Sequence, residues 1–208
     1  MNIFFIIIIL IIIELILIFT VKILKKKFQW LITNEDEYPL LDKKKLKNFY
    51  KNSFDNLLGW DRKKNSKGYE YNKFKKTSFS INKHGARGMN NFSKNKITVL
   101  GDSYAFCRYV NDNQTWEDMI QKKIKGNVLN YGIGNFGIDQ AILKINKIKK
   151  RNISKIIVIN VVPETILRIH SFWKHYLEFG NYFGFKPKYI LKNKKLILLK
   201  SPIKKNYN

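Results

Sequence analysis

Ile97-Thr98-Val99-Leu100-Gly101-Asp102-Ser103 is an apolar strand that runs directly into a glycine, an acid and a serine. Substrate clefts of open α/β sheets form where the strands end, at their carboxyl edge. Glycine permits a sharp turn there, so this spacing places the Ser103 hydroxyl at the mouth of a cleft. A hydroxyl in that position is a candidate nucleophile, provided a general base activates it.

The pattern downstream alternates helix and strand. Thr115-Trp116-Glu117-Asp118 matches a helix start, with Thr115 as N-cap and Asp118 in the place usually held by Glu. The helix it opens carries Trp116, Met119, Ile120 and Ile124 on one face. Val128–Tyr131 reads as a second strand. Ile138, Ala141, Ile142, Ile145 and Ile148 form the stripe of a second helix. Ile156–Val162 is unbroken and apolar, and is expected to be a third strand buried on both faces. Strand, helix, strand, helix, strand implies right-handed crossovers and a parallel sheet. Thr165–Phe179 suits a further helix, and Tyr189–Leu191 with Leu196–Leu199 suits a hairpin.

Upstream, residues 25–95 are rich in Lys, Asn, Ser and Gly and read as a juxtamembrane linker and irregular lead-in. Their recurring aromatics, from Phe49 to Phe79, are expected to pin this segment onto the neighbouring domain. Ile3–Val21 is apolar apart from Glu14 and Thr20, about the length a membrane-spanning helix needs. A cleaved signal peptide would carry basic residues first and a small-residue cleavage site. Here the lysines follow the apolar run, at 22 and 25–27, so a retained single span is expected. That flanking charge favours a cytoplasmic C-terminal side, although lysine is abundant throughout. The resulting organisation is an anchor over 1–24, a lead-in over 25–95 and an α/β domain over 96–208.

The 208 residues carry a net charge of +25 and one cysteine, Cys107. A lone cysteine excludes a disulfide framework, and His84, His170 and His175 have no metal-ligand spacing. The lysines are spread along the chain with Asn and Ile, and no nucleic-acid-binding motif accompanies them, so a nucleic-acid partner is not expected.

Gly101-Asp102-Ser103 after the first strand, with Asn130-Tyr131-Gly132 after the second and Ile133-Gly134-Asn135-Phe136-Gly137 beyond it, resembles the SGNH/GDSL hydrolases. Gly85-Ala86-Arg87-Gly88 is similar to the approach segment of some members. The likeness covers roughly residues 80–165. It implies a flavodoxin-like parallel sheet and a serine esterase acting on acylated carbohydrate or lipid at the cell envelope, with no cofactor. It implies Ser103 as nucleophile, with the Ser103 and Gly132 N–H groups in an oxyanion hole. Such preorganised donors stabilise the charge that develops in the transition state.

Two features depart from the family pattern. Its third motif, Gly-x-Asn-Asp, is replaced by Asn160-Val161-Val162-Pro163-Glu164, where Asn160 is the candidate third donor and strand-end capping the alternative. Its final Asp-x-x-His is absent. This leaves three readings: an incomplete domain, a degenerate relative that only binds, or His170 or His175 as substitute base. The terminal hairpin, with no closing helix after it, favours the first.

Overall fold

The structure, a computed structural model, describes residues 3–27, 43–89, 91–169 and 185–201. Its centre is a three-stranded parallel sheet. β5 (Asn95–Leu100) lies between β6 (Asn127–Asn130) and β7 (Ile156–Ile159). Preceding it are α1 (Ile3–Lys27), α2 (Lys43–Asn52), the short pair β1 (Phe54–Asp55) and β2 (Gly59–Trp60), and the hairpin β3 (Ser66–Tyr71) with β4 (Lys76–Ile81). The helices between the parallel strands are α3 (Trp116–Ile124) and α4 (Ile138–Lys147). A short α5 (Pro163–Leu167) and the hairpin β8 (Lys188–Lys192) with β9 (Lys195–Leu199) follow.

The order β6-β5-β7 means that the chain steps to one side of β5 and then crosses back to the other. With right-handed crossovers this puts α3 and α4 on opposite faces. Neighbouring strand residues point to opposite faces, and the core divides accordingly. Val99 and Val128 pack with Ala105, Trp116 and Ile120 on the α3 side. Leu100, Leu129 and Tyr131 pack with Ala141 and Ile148 on the α4 side. Thr115 caps α3 by accepting a hydrogen bond from the Asp118 N–H at 3.2 Å. Only half of the apolar face expected of that helix is used. Trp116 and Ile120 face the sheet, whereas Met119 and Ile124 are exposed and the polar Glu117 and Gln121 are buried.

Two other expectations are corrected. The segment before the sheet is not an irregular lead-in. Leu46, Phe49, Leu58 and Trp60 form a core cluster with Ile133, Phe136, Leu143 and Phe185, because their rings and branches cover the glycine-rich loop after β6. The β3–β4 hairpin joins the sheet through Arg87, which bridges to Ile81 on one side and Asn130 on the other. Asn111 and Asp112 accept the Ser78 and Ser80 N–H groups and so satisfy that edge of β4. The aromatics divide: Phe49, Trp60 and Phe79 are buried, while Tyr69, Tyr71 and Phe74 are exposed.

The second correction concerns β7. It is four residues long rather than seven, and all four are exposed, from 36% at Ile159 to 57% at Ile156. It is an outer strand of the three-stranded sheet, and an apolar run by itself does not specify which layer covers it. Of the helix expected over Thr165–Phe179, Thr165–Leu167 belong to α5; from residue 170 the segment lies outside the described residues.

α1 contains a 22-residue apolar stretch, Ile3–Leu24, long and apolar enough to cross a membrane. Its side chains are exposed along that length. A signal sequence has the same character.

Candidate active site

β5 ends at Leu100, and the chain then turns sharply. Gly101 has φ +147°, and a Cβ there would lie 2.9 Å from both Ala105 Cβ and Asn160 Cβ. Glycine is therefore required by two neighbours as well as by the backbone. Asp102 is fully buried. Its Oδ1 accepts the Tyr104 N–H at 2.9 Å, and its Oδ2 pairs with Arg168 at 3.1 Å. The turn is closed by Phe106 N–H to Asp102 O at 2.9 Å and Arg108 N–H to Ser103 O at 3.2 Å. Asp102 is thus a brace for the turn, held away from catalytic use by its own partners.

Ser103 is half-buried on this turn, and neither its hydroxyl nor its N–H has a partner among the described residues. Asn160 follows the end of β7, and its N–H donates to Leu100 O at 2.9 Å. The Asn160 Oδ1 is buried without a partner. An unpaired buried amide oxygen costs about 1–3 kcal/mol. The Oδ1 of this side chain is not spent on capping the strand end, and its Cβ lies against Gly101, where the turn that carries Ser103 begins.

Gly132 takes a different role from the one the motif implies. Its N–H donates to Asn130 Oδ1 at 2.9 Å, so as a donor it is already committed. Close packing is what demands glycine here. A Cβ would come within 2.4 Å of Phe106 N and 2.6 Å of Ala105 C. Asn130 also donates from Nδ2 to Ala105 O at 2.7 Å, so one side chain ties the end of β6 to the serine turn. The glycine loop beyond is fixed by Trp60 Nε1 donating to Gly134 O at 3.2 Å and by Arg168 donating to Phe136 O at 3.1 Å.

The structure therefore brings Ser103, Gly132 and Asn160 to the carboxyl edge of one sheet, around one turn. It places His84 elsewhere. That ring hydrogen-bonds Asn152 at 3.1 Å, on the segment leading into β7, where the strands begin. His170 and His175 lie outside the described residues. Among the described residues, no imidazole or carboxylate is in hydrogen-bond contact with the Ser103 hydroxyl.

Sequence reading missed the polar network that holds this turn. The buried Arg87 guanidinium donates to the carbonyls of Phe106, of Cys107 at 2.8 Å and of Val110 at 2.6 Å, and pairs through Nε with Asp112 at 2.8 Å. The only sequence signal was its place in Gly85-Ala86-Arg87-Gly88. Behind the turn, the Cys107 thiol donates to Glu117 Oε2 at 3.2 Å. Burial, and then the Glu117 charge, push that thiol up to about 12, which disfavours the nucleophilic thiolate.

Glu117 is 2% exposed, its Oε1 has no partner, and burial raises its carboxyl to about 7 from an ordinary 4.5. The folded protein therefore holds this proton more tightly than the unfolded chain. The resulting stability is complete below about pH 4.5 and is lost as pH rises through about 7. Replacing Glu117 by Gln is expected to flatten the fall in melting temperature between pH 5 and 8. It removes a pH-dependent term on the order of 3 kcal/mol. Parallel melting curves of the two proteins would contradict this assignment.

Comparison with family models, with curated proteins and with solved structures finds no match to this chain.

Proposed function

We propose that this chain is a membrane-anchored serine esterase of the SGNH/GDSL type, acting on acyl esters of envelope carbohydrate or lipid. The observation that carries the reading is the placement of Ser103 and Asn160 just past the carboxyl ends of adjacent parallel strands, with Asn160 against Gly101 in the turn that leads to Ser103. In chain order the three strands run 2-1-3, the order that opens a flavodoxin-like sheet, and ligands bind such sheets where the strand order reverses. β5 and β7 flank that point.

In this mechanism the Ser103 oxygen attacks the ester carbonyl carbon while its proton passes to a base. The carbonyl oxygen takes up negative charge within reach of the free Ser103 N–H and the Asn160 amide. The C–O bond to the alcohol then breaks, the alcohol leaves with a proton, and water hydrolyses the acyl-serine. Each oxyanion donor in such a site contributes about 3–4 kcal/mol to lowering the barrier. Gly132 contributes close packing of the loop rather than a hydrogen bond to the oxyanion. His170 and His175 are the histidines that follow β7 in the chain and are the candidates for base.

Turnover of a short-chain nitrophenyl ester and of an acetylated glycan by the full chain tests this. A folded protein that binds the acylated glycan without cleaving it would favour a second reading, a non-catalytic binding protein on the same scaffold. The absence of a base beside Ser103 among the described residues is the observation behind that alternative.

The anchor is part of the proposal. The mature protein is expected to retain Ile3–Leu24 and to stay in the membrane pellet after alkaline carbonate extraction. A mature N-terminus beyond residue 24 would instead identify a cleaved signal.

A further inference from the structure

A second cleft, of about 330 Å³, lies beside α4, between the loop after β2, the turn after β4 and the segment after α4. Seven lysines and arginines line it, against one carboxylate, Asp61. Three of the cations are already engaged. Lys144 and Lys147 pair with Asp61, and Arg62 faces Glu70 at 3.5 Å while stacking on Phe79 and Phe106. The side chains of the remaining four, Lys64, Lys83, Lys149 and Arg151, have no ion pair or hydrogen bond among the described residues. They come from three separate segments, so a local run of lysine does not account for their convergence. Their charge falls on His84, whose imidazolium is disfavoured by burial and then by Lys83, Arg151, Lys64 and Lys149.

The second observation is at the wall of the cleft. Tyr131 is 1% exposed, it lines the cleft, and its hydroxyl has no partner. Burial raises that hydroxyl to about 12, so it keeps its proton and is a hydrogen-bond donor. Four unneutralised cations around an unpaired buried donor call for an anion with several oxygens and more than one charge. A carboxylate has a single charge and two oxygens. A phosphate monoester has close to two charges and three oxygens that accept from Lys and Arg.

We propose that this cleft binds a phosphate group, with Lys64, Lys83, Lys149 and Arg151 at its rim and the Tyr131 hydroxyl donating from its wall. The phosphate belongs either to a lipid headgroup or to a free phosphorylated molecule. The site is separate from the Ser103 turn and does not depend on an esterase activity.

The test uses the full chain in a neutral detergent and isothermal titration with two probes, pyrophosphate and dihexanoyl phosphatidic acid. Saturable binding is expected, weakening as salt rises. The Lys83→Gln/Arg151→Gln double variant is expected to bind about tenfold or more weakly. Tyr131→Phe, which keeps the ring in the core, is expected to bind more weakly than the native protein. The Lys73→Gln/Lys75→Gln variant, altered on the exposed β3–β4 turn, removes the same charge elsewhere and is expected to bind normally. Tighter binding of the acylated probe assigns the phosphate to a lipid, and equal or tighter binding of pyrophosphate to a free ligand. The proposal is overturned if neither probe saturates, or if the control variant loses as much affinity as Lys83→Gln/Arg151→Gln.

Discussion

Replacing Ser103 by Ala is expected to lower ester turnover by about 10³-fold or more while leaving the fold intact. The two parts of this expectation have separate causes. In the proposed reaction the hydroxyl forms the bond to the acyl group, and without it only binding and oxyanion stabilisation remain to accelerate attack by water. The stability term is small because the Ser103 hydroxyl has no partner among the described residues, and the side chain is half-buried on a turn held by other groups. Substitutions at such positions fall within about 0.5 kcal/mol of neutral. Steady-state turnover and a melting curve of the same preparation check both parts. Undiminished turnover in the variant would remove Ser103 from the chemistry.

The largest loss of stability is expected from Arg87→Met. The substitution keeps an unbranched apolar stem and removes the guanidinium that serves three carbonyls and the Asp112 carboxylate. Those groups lie inside the turn region and lose their partner together. Leaving three carbonyls without their donor, at about 1 kcal/mol or more each, makes the loss about 3–5 kcal/mol. For a chain of this size that lowers the melting temperature by about 6–20 °C. Stacking of the guanidinium on the Phe106 ring, 4.5 Å from its centroid, adds to the loss. Lys is not expected to rescue the site, because a point charge cannot donate in four directions from one plane. Urea unfolding of the two proteins measures the difference. A change under 1 kcal/mol would mean that the carbonyls find other donors, and that Arg87 does not hold the serine turn.

What the sequence revealed follows physical range. From residue 97 onward the alternation of strand and helix was readable, because each parallel strand is a short apolar run and each helix has a stripe. Thr115 caps α3 as expected, since capping is settled within three residues. The β3–β4 hairpin went unread, although Thr77, Phe79 and Ile81 alternate with Ser78 and Ser80 and are buried. Small polar residues at strand positions weaken that signal. β7 is shorter and more exposed than its apolar run implies, because such runs report what a strand is made of and not its place in a sheet.

The site was legible where it depends on strand ends, which is how Ser103 and Asn160 came to attention. It was not legible where partners lie far apart in the chain. Arg87 meets Phe106 across 19 residues, and the Gly132 N–H is taken by an Asn130 side chain whose direction is set by Ala105. Glycine at 132 therefore looks like a donor in a motif and acts as a space for backbone in the fold. Glu117 belongs to a helix start in the sequence pattern, and its burial beside Cys107 depends on a turn ten residues away.

The proposed function makes Ser103 an activated nucleophile in the full chain. Treating the folded protein with a fluorophosphonate and mapping the adduct by peptide mass spectrometry tests this without knowledge of the natural substrate. One phosphonylated residue, Ser103, is expected, and no adduct in Ser103→Ala. An unlabelled Ser103 in protein that melts cooperatively would contradict it and leave a binding scaffold in its place.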